Sequence, residues 1–224
     1  ILRIEDTDKK REVENGISMI VNGLNGFGIS FDEGPIDEKN QRGEYGPYMQ
    51  SQRLDIYKTF AKDIVQKGNA YPCFISEEEL ELIRKEQESL GVRTGYYGKW
   101  AKWRDASIEE IKEELGKGTP YVIRLFSTGD INNTFEMNDL IKGRVTLREN
   151  DMDVVLLKSD GFPTYHFAHP IDDTLMGITL VTRADEWFPS VPLHFEIFQK
   201  LGLKQIPYAH FSPLMKVDNE GKSK

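Results

Sequence analysis

Hydrophobic residues in the first third of the chain follow two alternating patterns. Residues 1–4 form a short apolar run, which is typical of a strand buried on both faces. Apolar residues then recur at intervals of three or four between Val13 and Leu24, which predicts an amphipathic helix. A strand-like run at 29–31 and a helical stretch from about 51 to 67 repeat the order. Alternating strands and helices joined by short loops predict a parallel sheet.

The pattern changes in the middle of the chain. Ser76 with Glu79 and Ser107 with Glu110 match the capping box, in which a serine and a glutamate three residues later close the start of a helix. Each box precedes a strongly charged helical segment. Three β-rich segments follow, at 121–126, 144–148 and 154–158. We therefore expect an α+β unit here.

The last part of the chain returns to the first pattern. Residues 178–182 predict another buried strand, and residues 190–202 predict a helix. Asp172 and Asp173 are expected to begin a helix on the surface. The predicted architecture is α/β, a sheet domain interrupted by a second module. Its three parts are residues 1–69, 70–162 and 163–224.

Composition excludes several classes of protein. The 224 residues include 38% hydrophobic and 29% charged residues, and the formal net charge is −8, which is typical of a globular protein and argues against non-specific nucleic-acid binding. Apolar runs fall well short of the ~20 residues that a membrane span needs. Cys73 is the only cysteine, which excludes an internal disulfide and fits a reducing cytoplasm.

Two oppositely charged clusters are the strongest candidates for chemistry. Residues 5–8 (EDTD) follow the first predicted strand, and Arg183 follows the later one. The carboxyl ends of parallel strands are where ligands bind, so the two clusters are expected to share a site. From spacing alone, residues 5–8 fit an acidic helix start better. Arg183 on its own fits a surface ion pair, and Trp187 on its own a core position.

Two other patterns are weaker. His166 and His169 lie three residues apart, but no third ligand is evident, so metal binding is not expected. Residues 221–223 (GKS) suggest a phosphate-binding loop, which also requires a glycine at position 216. That position is Lys216, so we reject the loop.

Taken together, five segments resemble glutamyl-tRNA synthetases in order and separation. They are LRIEDTD at 2–8, DEGP at 32–35, GPYMQSQR at 46–53, LLKSDGFPTYHFA at 156–168 and RADEW at 183–187. The resemblance covers essentially the whole chain. It implies a class I synthetase whose Rossmann-type catalytic domain is split by an acceptor-stem-binding insertion. Such an enzyme joins L-glutamate to tRNA through a glutamyl-adenylate, using ATP and Mg²⁺.

The same resemblance implies roles for individual residues. Glu5 would face the α-ammonium of the amino acid, and Arg183 with Tyr165 would recognise its γ-carboxylate. His169 stands where many relatives have asparagine, and a neutral imidazole can still supply one hydrogen bond there.

Contacts to the other two substrates are also implied. Glu186 and Trp187 would lie along ATP, and Thr7 and Arg11 would contact the 3′ end of tRNA. Adenylate formation depends mainly on positioning and charge stabilisation, so no side chain is assigned as an acid or a base.

Departures from the family pattern limit these expectations. The His-Ile-Gly-His segment is expected before Ile1 and the Lys-Met-Ser-Lys-Ser loop beyond Lys224, so we interpret the chain as a fragment that does not activate glutamate by itself. Some relatives bind zinc in the insertion through several cysteines. Here Cys73 stands alone, because Ile75 occupies the position of the second cysteine and Trp100 lies near that of the third. No zinc is therefore expected.

Several alternatives stay open. Glutaminyl-tRNA synthetases usually carry a Phe-Asp-Asp-Thr-Asn segment where this chain has residues 4–8. A shorter paralogue that glutamylates a modified tRNA base fits the long 70–162 segment less well. A non-catalytic RNA-binding module is a third possibility. We expect a cytoplasmic, monomeric parent enzyme that binds the acceptor stem of tRNA for glutamate and no membrane.

Overall fold

A computed structural model describes residues 1–7, 13–212, 216–218 and 221–223. The helices are α1 (Gly16–Gly26), α2 (Leu54–Gln66), α3 (Glu77–Ser89), α4 (Ile108–Lys117), α5 (Tyr165–Leu175) and α6 (Val191–Leu201). The strands are β1 (Gly34–Pro35), β2 (Gln41–Arg42), β3 (Ala70–Cys73), β4 (Val122–Leu125), β5 (Thr134–Asp139), β6 (Gly143–Arg148), β7 (Val155–Leu157), β8 (Val181–Ala184), β9 (Tyr208–Phe211), β10 (Lys216–Asp218) and β11 (Gly221–Ser223). Within the described ranges, no helix is both long and apolar enough to cross a bilayer.

A parallel pair of strands carries the later half of the site. β8 and β9 run side by side, with α6 as the crossover between them. Gly202 ends α6 in the left-handed conformation, which glycine adopts without steric cost. The register places Arg183 directly opposite His210. Directly opposed residues on neighbouring strands are close enough for their side chains to interact, so the register itself brings these two groups together.

The main core joins segments that are distant in the chain. The antiparallel sheet β3–β4–β7 packs with α2, α5 and α6 around one cluster of buried side chains. Its members include Ile64 of α2, Leu125 of β4, Phe167 of α5 and Ile197 of α6, each 0% exposed. Burying side chains of this size stabilises the fold by about 1.5–3 kcal/mol each.

The hairpin β5–β6 packs on the parallel pair. Met137 of β5 belongs to a buried cluster with Val191 and Tyr208. The backbone N–H of Leu140, at the turn of the hairpin, donates to the carbonyl of Tyr208 at 3.0 Å. The turn of a hairpin from the middle of the chain is therefore fixed beside β9, next to His210.

Several predicted elements are confirmed. Both capping boxes form, with reciprocal hydrogen bonds between serine and glutamate at the starts of α3 and α4. Helices lie over most of 51–67 and 190–202, and strands lie within all three β-rich segments of the middle stretch. These elements carry strong local signals, which explains why sequence patterns alone locate them.

Three predictions for the sheet are wrong in detail. Residues 1–4 form only one parallel bridge, between Ile4 and Met49, and Ile1 is 44% exposed. Residues 29–31 form no strand, and Ile29 is exposed. The strand predicted at 178–182 begins at Val181, so Arg183 lies inside it rather than after it. A short apolar run does not by itself determine where a partner strand pairs.

Helix α1 is also less buried than its pattern predicts. Ile17 is its one buried residue, whereas Met19 is 64% and Ile20 45% exposed. Apolar periodicity identified the helix correctly but not the extent of its contact with the described part of the chain.

Helix α5 was not predicted, and Asp172 and Asp173 lie in its buried part rather than on the surface. Asp172 is 0% exposed and accepts hydrogen bonds from Gln50 Nε2 (3.0 Å), Arg53 Nε (2.8 Å) and Tyr57 Oη (2.7 Å). An ionised carboxylate is tolerated in a core when donors surround it in this way.

We expect the variant Asp172→Asn to lower the free energy of unfolding by about 3–5 kcal/mol, because it leaves the Arg53 cation buried without its carboxylate. Equilibrium urea unfolding measures this loss. Asp55→Asn is the matched control, since the Asp55 side chain is 99% exposed beside Lys58, and its unfolding midpoint should stay unchanged. Equal midpoints for the two variants would contradict the importance of the buried cluster.

Candidate functional site

A polar cavity of 310 Å³ lies between the start of the chain, α5 and β8. It is large enough for a small polar ligand such as an amino acid. Its charged and polar lining residues are Arg3, Glu5, Tyr165, His169, Asp173 and Arg183. The structure therefore brings together all four residues that the sequence assigned to glutamate.

Arg183 is held in the wall of this cavity by neutral acceptors. It is 8% exposed, and its Nε donates to His210 Nε2 at 2.8 Å. Its Nη1 lies 3.1 Å from His194 Nδ1 and 3.4 Å from Tyr165 Oη. Its Nη2 is buried and has no hydrogen-bond partner among the described residues. A guanidinium only donates hydrogen bonds, so both imidazole nitrogens must be unprotonated acceptors.

The acceptor on His210 is supported by a carboxylate. His210 Nδ1 lies 2.6 Å from Asp139 Oδ2, and both residues are buried. Burial by itself would raise the pKa of Asp139, but hydrogen bonds from its own turn and from His210 outweigh it and hold that pKa at about 2. Burial lowers the pKa of His210, so its ring stays neutral.

The second acceptor of Arg183, His194, is itself hydrogen-bonded to another histidine. His194 Nε2 lies 3.0 Å from His166 Nδ1, which places a proton on His194 Nε2. Burial is the main cause that lowers the pKa of His194, and the nearby His169 and Arg183 lower it further. Burial likewise lowers the pKa of His166. The Arg183 charge is therefore surrounded by neutral rings on this side.

The opposite charges in the cavity are largely paired. Arg3 Nη1 lies 2.5 Å from Asp173 Oδ1, and Arg3 Nη2 donates to Glu5 Oε1 at 3.2 Å. Burial opposes ionisation of Asp173, yet contacts with His169 and Arg3 lower its pKa. Arg3 is thus compensated by carboxylates, in contrast to Arg183.

His169 uses both ring nitrogens inside the protein. Nδ1 lies 3.0 Å from Asp173 Oδ2, and Nε2 lies 3.0 Å from Tyr208 Oη. The ring is 2% exposed and stacks on Tyr165 with 5.5 Å between ring centres. Both ring nitrogens thus lie close to buried groups of the protein, and the ring supports the cavity wall. Its expected contact with the amino acid stays a prediction.

The whole chain, residues 1–224, matches the family model of the tRNA synthetases class I (E and Q), catalytic domain. The chain belongs to this family. It is 50% identical over 224 residues to a glutamate–tRNA ligase of Acetivibrio thermocellus and 49% identical over 223 residues to one of Clostridium perfringens. In both comparisons all of this chain is covered, but it spans only 41% of the relative's length.

Solved structures of this synthetase family agree in shape. A glutamate–tRNA ligase from Elizabethkingia meningosepticum, in complex with its amino acid, superposes with a TM-score of 0.88 at 38% identity. The comparison covers 100% of this chain and 44% of that one. A relative from Elizabethkingia anophelis gives a TM-score of 0.87. The α/β architecture of the synthetase fold is therefore confirmed.

The described residues that the resemblance assigns to ATP and tRNA do not line the cavity. Trp187 packs on Tyr165 with 4.5 Å between ring centres and is 37% exposed, and Glu186 precedes it in the short helical segment Asp185–Ser190. Thr7 lies away from the cavity wall, and its carbonyl accepts from Lys158 Nζ at 3.1 Å. Arg11 lies outside the described residues. The roles of these residues stay predictions.

The metal predictions also stay predictions. Within the described ranges, no three side chains of histidine, cysteine, aspartate or glutamate converge to hold a metal ion. Cys73 is buried, with its Sγ 3.5 Å from Tyr96 Oη.

Sequence reasoning missed the groups that hold Arg183. His210 could have been found from a correct parallel register, which places it opposite Arg183. Asp139 had no local signal, because it is 71 residues from His210 and meets it only when the hairpin folds against β9. His194 and Asp173 lie on helices whose buried faces depend on tertiary packing.

The neutral state of His194 predicts a specific pH dependence of stability. The unfolded chain protonates this residue below about pH 6.5, whereas the folded protein does not. Its stabilising contribution is therefore present above about pH 6.5 and is lost as the pH falls towards the lowered pKa. We expect His194→Gln to reduce the slope of unfolding free energy against pH by up to about 1.4 kcal/mol per unit.

Urea unfolding of wild type and His194→Gln between about pH 6.5 and 5 measures this difference in slope. The variant also loses stability at neutral pH, so only the slopes are compared. Equal slopes would show that His194 is protonated in the folded protein, contrary to its position beside Arg183.

Proposed function

We propose that the chain is the amino-acid-binding part of an enzyme that joins L-glutamate to tRNA. The observation that carries this proposal is the buried Nη2 of Arg183, which has no hydrogen-bond partner among the described residues and belongs to a side chain that lines the same cavity as Tyr165 and Glu5. A buried cation with an unused donor favours an anionic ligand, because leaving that donor unpaired costs about 1–3 kcal/mol or more. The glutamate–tRNA ligase relatives support the same substrate.

The pair formed by Arg183 and Tyr165 suits a carboxylate. Tyr165 Oη accepts from Arg183, so its own proton is available to a ligand oxygen. Burial raises the pKa of Tyr165, which keeps that proton in place. Two donors, one on Arg183 and one on Tyr165, would bind the two oxygens of the γ-carboxylate. Glu5 would bind the α-ammonium group.

This arrangement also separates glutamate from glutamine. The two amino acids have nearly the same volume, so shape cannot distinguish them. Glutamine would present an amide, leave the Arg183 charge uncompensated and place an N–H group near other donors. Sites that leave buried polar groups unpaired reject the wrong ligand strongly. The glutaminyl alternative is therefore less well supported.

The reaction proceeds in two steps in this proposal. The α-carboxylate of glutamate attacks the α-phosphorus of ATP and releases pyrophosphate, and a ribose hydroxyl of tRNA then attacks the acyl carbon and releases AMP. The residues of this chain bind and orient the amino acid, which is the positioning part of catalysis. Mg²⁺ would neutralise phosphate charge and be held in large part by the phosphates of ATP, as is usual for this ion.

We further assign residues 70–162 to the acceptor stem of tRNA, as an insertion between the two parts of a Rossmann-type catalytic domain. In support, this stretch carries its own buried cluster, which includes Tyr71, Tyr96 and Ala101. Trp187 and Glu186 would lie along ATP, and Thr7 and Arg11 near the tRNA 3′ end. The parent enzyme would act in the cytoplasm as a monomer.

The variant Arg183→Ala tests the proposal in the complete protein that carries this chain. Aminoacylation is measured with labelled glutamate and labelled glutamine. We expect kcat/KM for glutamate to fall about 30- to 4,000-fold, which corresponds to about 2–5 kcal/mol for a lost buried charge contact. Arg84→Ala is the control, because Arg84 is exposed on α3, and it should leave KM for glutamate unchanged.

Other results would identify a different function. Charging of glutamine by the wild type would make the chain part of a glutaminyl enzyme. Binding of tRNA without charging of either amino acid would favour the non-catalytic RNA-binding module. Wild-type kcat/KM in Arg183→Ala would remove Arg183 from the substrate site.

A further inference from the structure

The orientation of Arg183 depends on which nitrogen of His210 carries the proton. Arg183 Nε donates to His210 Nε2 at 2.8 Å, so that nitrogen must be unprotonated. The proton of the neutral ring then lies on Nδ1, which is 2.6 Å from Asp139 Oδ2. A carboxylate at this point accepts a hydrogen bond only from a protonated Nδ1. Asp139 therefore selects the tautomer that can hold Arg183.

The two oxygens of Asp139 have separate tasks. Oδ1 accepts from the backbone N–H groups of Ile141 (3.0 Å) and Lys142 (2.9 Å), which fixes the turn between β5 and β6. Oδ2 faces the His210 ring, and the backbone N–H of His210 is shared between Oδ2 (3.2 Å) and Oδ1 (3.3 Å). Asp139 is 1% and His210 0% exposed, so water does not compete for either group.

We propose that Asp139 is a positioning residue for amino-acid recognition, acting through His210 on Arg183. Its carboxylate fixes the His210 tautomer, and that tautomer orients the guanidinium, whose Nη2 has no hydrogen-bond partner among the described residues. The inference rests on the proposed function only in taking the glutamate γ-carboxylate as the ligand of Arg183.

The second acceptor of Arg183 lacks this support. His194 donates from Nε2 to His166 Nδ1, which is itself a neutral ring, and no carboxylate bonded to His166 is seen among the described residues. The link through His210 is therefore the only path in the described structure that connects Arg183 to a buried carboxylate by hydrogen bonds. This asymmetry makes Asp139 the more sensitive point.

The variant Asp139→Asn separates the two tasks. Its Oδ1 can still accept from Ile141 and Lys142, so the turn is kept. Its amide group donates where Oδ2 accepted, which drives the proton of His210 to Nε2 and sets two N–H groups against each other at Arg183. We expect KM for glutamate to rise about 10- to 100-fold, by analogy with the loss seen when a partner that orients a metal-binding histidine is removed. KM for ATP should stay unchanged.

The kinetic test uses the complete protein and four variants: Asp139→Asn, His210→Gln, the double variant and the control Asp130→Asn. The Asp130 carboxylate accepts a hydrogen bond from the backbone N–H of Asn132 in an exposed turn, as Asp139 does in its own turn, but no hydrogen bond to a histidine is seen among the described residues. Its variant should therefore behave as wild type. Glutamine at position 210 offers an oxygen to Arg183 without needing Asp139. Adding Asp139→Asn to His210→Gln should therefore change KM no further.

A second readout needs no substrate. The ¹⁵N chemical shifts of labelled histidine rings report which nitrogen is protonated, with His210→Gln giving the assignment. Wild type should show an unprotonated Nε2 at His210, and Asp139→Asn a protonated one. A protonated Nε2 in wild type, or a wild-type KM in Asp139→Asn, would overturn the proposal. The inferred tautomer in a wild type that does not charge glutamate would instead overturn the proposed function.

Discussion

A buried arginine without a directly bonded carboxylate is the constraint on which the site depends. Arg183 is held by His210 and His194, and its buried Nη2 has no hydrogen-bond partner in the part of the chain that the structure describes. Placing a guanidinium in a low-dielectric environment is costly unless charge or hydrogen bonds compensate it. Here hydrogen bonds fix its position while much of its charge stays available. In the proposed function, a ligand carboxylate would complete the compensation.

The site is assembled from all three stretches of the chain. Glu5 comes from the first, Asp139 from the hairpin of the second, and Arg183 with His210 from the third. The main core has the same character, because α2, β4 and α5 pack in a single cluster. Displacing the hairpin would therefore move the group that orients Arg183, although the hairpin itself does not line the cavity.

How far the sequence predicted this structure depends on the distance over which each signal acts. Capping boxes are local, and both were confirmed. The strand at residues 1–4 depended on neighbours that the pattern does not reveal, and one bridge at Ile4 is what forms. Helix α5 was hidden by Pro170 in its interior, a residue that normally interrupts helices. Glu5 and Arg183 line one cavity as predicted, although neither follows the strand that the prediction assumed. The contact between Asp139 and His210 spans 71 residues and has no local signal.

The choice of imidazoles rather than carboxylates around Arg183 has a chemical consequence. Arg3, on the same cavity, contacts Asp173 and Glu5 directly, so its charge is already neutralised. A carboxylate bonded to Arg183 would compete with a ligand carboxylate for the same donors. A neutral ring accepts one hydrogen bond, fixes the orientation and leaves the positive potential in place. The anionic group is Asp139, which is bonded to His210 and not to Arg183 itself. In the proposal it sets the tautomer of His210 and leaves Nη2 of Arg183 unoccupied. Under the two proposals, orientation and charge are controlled by different residues, which would favour a carboxylate over an amide.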